Sequence, residues 1–389
     1  MKSKFTSILM FFIIIVILMA SVLLIKTIFK EISGGNTLET SKALEDVQLF
    51  ETEDTNDSQT KKNLDTSIEA PKIKETTKSN PLTELESSNN QNTQTQNVNY
   101  DNVIVNKYFY TQLNSYSQTI YKAFENNKEN MKSGNYKISL GNSFSSLLEE
   151  NGQKILGDYY QSAIEAYIFD NPDVFYIDPS KMFLNIETIT RGSTKTYNLY
   201  IDCGEGATYL TDQFSTKSQV EEAIRKVENI RNSIISRKTT NTYTNIKMAH
   251  DYLVDNIEYD SSTSMQNIYN IYGALVNNKC VCEGYAKALK YLLDGMGIES
   301  CIVIGKATNY TGESENHAWN YVKVNDVWYA VDATWDDPVI VGGGTLSSES
   351  KRKYLLKGSN TISKDHFPSG KFTENGKTFN YPTLSSGDY

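Results

Sequence analysis

The stretch KCVCEGYAKAL, residues 279–289, places two of the chain's four cysteines one residue apart, at the start of an apolar helical pattern. After a polar Asn277-Asn278-Lys279 turn, Tyr285, Ala286, Leu289, Leu292 and Leu293 recur at helical spacing, and Gly295 and Gly297 stop the run. Cys282 therefore falls at a helix N-terminus. There the unpaired backbone N–H groups and the positive end of the helix dipole stabilise a thiolate. Cys280 lies in the preceding turn and reads as a small, half-buried packing residue.

A thiolate nucleophile needs a base, and the base needs an orienting group. HAWNYVKVNDVWYAVDATWDDP, beginning at His317, supplies both. The runs 317–324 and 327–334 flank Asn325-Asp326, a two-residue hairpin turn. With Val324 opposite Val327, Trp319 faces Asp332 and His317 faces Thr334. His317 and Asp332 are then diagonal neighbours on one face, within reach of a carboxylate–imidazole hydrogen bond. The arrangement is what a Cys-His-Asp triad requires: Cys282 attacks, His317 serves as general base and acid, and Asp332 fixes its tautomer and orientation. His250, on an upstream helix, reads as a packed or capping residue. Four cysteines and three histidines without paired Cys-x-x-Cys sets give no structural zinc site, and neither a metal nor a cofactor is expected. With Cys282 reserved for chemistry, Cys203, Cys280 and Cys301 leave room for one intrachain disulfide at most.

The elements that must hold these groups begin well after the amino terminus. Ile8 to Ile25 runs without a charge and predicts a membrane-spanning anchor over residues 1–33, uncleaved and with the bulk of the chain outside. Residues 34–99 are polar and aperiodic and read as a disordered tether. From Tyr100, aromatic and apolar residues at three- and four-residue steps, then two alternating strands around Gly192-Ser193, predict an α+β extension over 100–238. Its last helix shows a capping box at Ser218 and Glu221 and a stripe of Val220, Ile224, Val227, Ile230 and Ile234. Its many tyrosines read as packing residues. NIKMAHDYLVDNIEYD opens the catalytic region, residues 239–345, with Ile246, Ala249, Leu253 and Ile257 as its buried stripe; residues 346–389 form a C-terminal extension. A net charge of −9 with no basic face excludes a nucleic-acid partner.

VCEGYAKALKYLL, then GI, then HAWNYVKVNDVWYAVDATWDDP resembles the transglutaminase-like superfamily, in particular its bacterial, protease-like branch. The resemblance covers about residues 240–340. HDYLVDNIEYD is similar to the family's upstream helix, and YLLKGS with Asp365-His366 to a common C-terminal extension. It implies a papain-like α+β core and, residue by residue, a nucleophile at Cys282, a histidine at His317 and an aspartate at Asp332. Cys280 stands where relatives often carry Gly or Ala, and Glu283 where the animal cross-linking enzymes carry Trp. No upstream tryptophan matches the family's oxyanion-stabilising residue, which leaves the Cys282 N–H and an unassigned side chain for that role. No calcium loop is present, so calcium control does not carry over.

Three functions follow from this reading. A thiol hydrolase would resolve an acyl-enzyme on Cys282 with water; an acyl transferase would resolve it with a lysine amine, leaving an isopeptide cross-link; a silent module would only bind. The protease-like resemblance favours a cysteine peptidase or amide hydrolase. It would act on protein or peptide substrates, cell-wall-associated ones among them, from a single-pass membrane anchor with the catalytic domain outside the cytoplasm.

Overall fold

The computed structural model describes residues 72–79, 98–149, 152–262, 267–338, 347–373 and 376–389. The expected span Ile8–Ile25 and most of the tether lie outside these residues; among the described residues no helix is long and apolar enough to cross a membrane.

The extension is built from β1 (Lys72–Ser79), α1 (Ser115–Asn126), α2 (Lys128–Met131), β2 (Ile138–Gly141), α3 (Ser145–Glu149), α4 (Gln153–Asp170), β3 (Phe183–Arg191) and β4 (Thr194–Asp202). Its sheet has the order β1-β3-β4-β2. Part of the polar segment read as tether is thus a strand. β1 runs parallel to β3, from Lys72 opposite Phe183 to Ser79 opposite Thr190. The ladder gives its backbone groups partners that the polar composition alone does not promise, and Ile73 packs on the core. α1 and α4 meet through tyrosine and phenylalanine. Tyr167 stacks on Phe124 at 5.1 Å and meets Tyr121 edge-on at 5.1 Å. Tyr121, Tyr160, Tyr167, Tyr176 and Tyr209 are all buried, as packing residues should be.

The chain continues as α5 (Lys217–Ile235), α6 (Thr242–Asn256), β5 (Glu258–Tyr259), α7 (Ile271–Leu275), β6 (Lys279–Cys280), α8 (Cys282–Met296), β7 (Ser300–Thr308), β8 (Ser314–Val324), β9 (Val327–Val331), α9 (Ser359–Ile362) and β10 (His366–Pro368). The second four-stranded sheet has the order β10-β7-β8-β9. α5 is capped by Thr216 and Gln219, not by Ser218 and Glu221. Both pairs fit the capping-box pattern, but the chain is still extended at Thr216, so the helix starts two residues earlier. α8 is the central helix, buried on nearly every side. It runs through Gly295 and ends at Gly297, whose φ of 73° is the left-handed conformation that stops helices.

One apolar core runs through both regions and the C-terminal segment. Phe109 of the extension meets Phe372 and Phe379 edge-on at 5.2 and 5.1 Å.

Candidate active site

Cys282 is the first residue of α8, after Val281 in extended backbone. The turn that delivers it is tightly built. Cys280 is fully buried in β6, opposite Tyr259 of β5, rather than half-buried in a turn. A Cβ on Gly284 would lie 2.5 Å from the Cys280 Cβ and 2.7 Å from the Ile268 carbonyl oxygen. Cys280 is thus a packing residue seated on a glycine, and burial pushes its thiol well above the usual range. All four cysteines are free and buried.

The β8–β9 hairpin has the register expected of a two-residue turn. Val324 pairs with Val327 and Asn320 with Val331, while Asn325 and Asp326 both take positive φ. That register brings His317 and Asp332 onto one face, Asp332 sitting one residue past the end of β9. His317 Nε2 lies 2.7 Å from Asp332 Oδ2. With Nε2 taken by Asp332, Nδ1 is the ring nitrogen left for the Cys282 sulfur, which acts on the imidazole from nearby. Asp332 Oδ1 accepts from the backbone N–H of Thr334 at 2.9 Å and of Trp335 at 3.2 Å, which fixes the carboxylate plane. Cys282, His317 and Asp332 are 1%, 2% and 1% exposed. Burial opposes charge on His317, but the adjacent Asp332 carboxylate and the Cys282 sulfur outweigh it and hold the imidazole pKa well above its ordinary value. Burial opposes charge on Asp332 too; His317 and His366 reverse that and hold its carboxyl well below the usual range. These two shifts are one interaction seen from its two ends.

Two further residues join the site. The Tyr259 phenol lies close enough to Cys282 to feel its sulfur, and burial together with that sulfur pushes the phenol well above its usual range, so it keeps its proton. His366 Nε2 lies 3.0 Å from Asp332 Oδ2, the same oxygen that His317 engages. Trp319 and Trp335 enclose both rings, with centroids 5.9 and 5.6 Å from His317 and 5.1 and 4.6 Å from His366. Both lie in stretches that resemble the family, but nothing in the sequence assigns either to the site: Tyr259 stands in a two-residue strand, and His366 is 34 residues from the carboxylate it touches. One ligand atom each of His317, Asp332 and His366 lie within 4.8 Å of one another. At 2.7 and 3.0 Å the nitrogen–oxygen separations are those of hydrogen bonds, with a proton between each pair.

His250 stands apart from this cluster. Its Nε2 meets Asp336 at 2.9 Å and its Nδ1 meets Asp251 at 3.3 Å. Arg352 clamps Asp251 through two nitrogens, at 2.8 and 2.7 Å. The network ties α6 and the C-terminal segment to the turn after Asp332.

Residues 228–333 match the model of the Transglutaminase-like superfamily. That segment is a transglutaminase-like domain. It contains Cys282, His317 and Asp332 and ends before His366. Human kyphoscoliosis peptidase is 23% identical over 195 residues, which is 46% of this chain and 28% of its own length. The mouse protein of the same name is 23% identical over 198 residues, with the same shares. The chain thus spans less than a third of these relatives. Among solved structures, a TGase aligns with 14% identity and a TM-score of 0.27 over 45% of this chain and 50% of that one. A candidate cysteine protease from Cytophaga hutchinsonii aligns with 13% identity and a TM-score of 0.24 over 39% and 64%. The fold of this chain is mixed α and β with a transglutaminase-like core.

Proposed function

We propose that this chain is a thiol acyl-transfer enzyme, a cysteine peptidase or amide hydrolase acting on protein or peptide substrates. The observation that carries the reading is the buried His317 imidazole, 2.7 Å from Asp332 on one side, with the sulfur of Cys282, first residue of α8, acting on it. In the first step Cys282 Sγ attacks an amide carbonyl carbon while His317 Nδ1 holds the thiol proton. The carbonyl oxygen becomes an oxyanion, for which the Cys282 backbone N–H and the Tyr259 hydroxyl are the donors beside the sulfur. His317 then gives its proton to the departing amine, the carbon–nitrogen bond breaks, and a thioester remains on Cys282. Water, losing a proton to His317, attacks that thioester, and the sulfur leaves with the proton returned. Asp332 holds the imidazole in place and supports its positive charge throughout. An amine in place of water would make an isopeptide bond by the same steps. The apolar run Ile8–Ile25 is consistent with an enzyme held at a membrane surface.

The test is mass spectrometry of peptide mixtures incubated with the full chain, with and without added cadaverine. Cleaved peptides without amine adducts are expected, and they should vanish with Cys282→Ala. Adducts in place of cleavage would convert the reading to a transferase, and no covalent change under either condition would overturn it. Asp332→Asn should remain folded, with some loss of melting temperature, while turnover of the folded protein falls on the order of 10⁴-fold, and the Asp332→Asn, His317→Ala double variant should be little worse than His317→Ala. A folded Asp332→Asn protein with near-normal turnover would leave a Cys282–His317 dyad.

A further inference from the structure

The carboxylate that orients His317 is shared. Asp332 Oδ2 faces His317 Nε2 at 2.7 Å and His366 Nε2 at 3.0 Å, while Oδ1 takes two backbone N–H groups. His366 is held from behind. Its Nδ1 lies 2.6 Å from Asp365 Oδ1, and the Tyr354 hydroxyl donates to Asp365 Oδ2 at 2.8 Å. Both ring nitrogens thus face carboxylate oxygens, and Nε2 is placed to donate to Asp332 Oδ2. His366 is fully buried among Trp319, Trp335, Tyr354 and His317, in ring contacts of 4.6 to 5.5 Å.

The sheet is shaped to permit this contact. His366 pairs with Ala307 on β7, and His317 pairs with Gly305 on the same strand. These paired positions share one face of the sheet, and the residues between the two histidines are small. A bulkier residue at 305 or 307 would stand between β10 and the hairpin. At Gly305 a Cβ would come within 2.1 Å of the Phe367 carbonyl oxygen. Residues 354, 365 and 366 all lie beyond the segment that matches the superfamily.

We propose that His366, backed by Asp365 and Tyr354, is a positioning residue of the active centre, supplied by the C-terminal segment. The inference rests on the thiol–imidazole reading given above. A hydrogen bond to Oδ2 from a second side has two effects. It stops the carboxylate from turning away from His317, and it draws off negative charge that would otherwise act on His317 alone. His317 then releases its proton to a leaving group more readily than it would beside an unshared carboxylate. The charged and titratable groups facing His366 are Asp332 after β9, Asp365 beside it, His317 on β8 and Tyr354. Asp336, whose carboxylate acts on Asp332 from the following turn, completes the set.

The chain has only three histidines, so imidazole nitrogen resonances of the full-length protein can be followed individually through a pH titration. His366→Phe fills the aromatic box but removes the donor; His366→Gln keeps an amide N–H near the Nε2 position. In His366→Phe the His317 inflection should move to higher pH. Turnover of p-nitrophenyl acetate should fall about 10- to 100-fold at unchanged KM, and His366→Gln should recover most of both effects. Asp365→Asn leaves the His366 ring in place and should shift both readouts in the same direction, which covers the case in which His366→Phe does not fold. Wild-type turnover and an unmoved His317 inflection in folded His366→Phe, or in Asp365→Asn, would overturn the proposal. So would a fall in melting temperature with both readouts unchanged in the folded protein. Carboxymethylation of Cys282 by iodoacetamide across the same pH range is run on His317→Ala as a control. If His317→Ala leaves the Cys282 profile intact, the thiol–imidazole reading itself fails; if it alters the profile while His366 variants do nothing, only this inference fails.

Discussion

Asp332 is the residue on which the site turns, and its pairing with His317 carries a pH signature. The pKa of His317 is raised on folding, so its contribution to stability is fully present below the ordinary histidine value of 6.5 and is lost as pH rises through the folded value. The pKa of Asp332 is lowered, so its contribution is present above the ordinary 3.8 and is lost as pH falls through the folded value. Both contributions coexist in the window between. The loss of melting temperature caused by His317→Ala should therefore be larger at about pH 5.5 than at about pH 9.5. An equal loss at both pH values would mean that the pair contributes packing alone. Tyr259→Phe tests a different atom: it keeps the ring and should lower turnover by about 10²- to 10³-fold if the hydroxyl meets the oxyanion.

At the scale of elements, what was legible in the sequence was whatever short-range chemistry dictates. Asn325-Asp326 forces the two-residue turn, the turn forces the register, and the register puts His317 diagonal to Asp332. The start of α8 was legible because a polar turn abuts helical apolar spacing. The α5 cap was misplaced because two overlapping pairs satisfy one pattern, and only the backbone at Thr216 decides between them. Tyr259 and His366 were not legible as site residues, since they reach the site by long-range pairing of β5 with β6 and of β10 with β7, which leaves no periodic trace. The seat beneath α8 was hidden too, because Gly284 looks like any helical glycine until Cys280 and Ile268 are seen against it. Gly284→Ala should gain about 1 kcal/mol of helix propensity but lose about 1–3 kcal/mol to overpacking against atoms 2.5 to 2.8 Å away. A lower melting temperature is the expected result. An unchanged or higher one would show that the β6–α8 turn yields freely.

For the whole molecule, the matched segment and the folding unit differ in extent. The superfamily match spans 228–333, but the apolar core continues from Tyr100 to Phe379; from beyond the match Arg352 clamps Asp251 on α6 and His366 reaches Asp332. A fragment of residues 228–345 should therefore fail to unfold cooperatively and should bind hydrophobic dye, because it lacks the rings of Phe109, Phe372 and Phe379. A sharp thermal transition from that fragment would show that the extension and the C-terminal segment are accessories to an independent core. The enclosure of the two histidines by tryptophan carries a consequence of another kind. The chain has three tryptophans, and Trp319 and Trp335 lie against both His317 and His366. A protonated imidazole accepts an electron from an excited indole, so these two are dimmed for as long as His317 stays charged. The ultraviolet emission of the unlabelled protein is in that case an optical gauge of proton occupancy at His317, and it should brighten when that imidazole discharges.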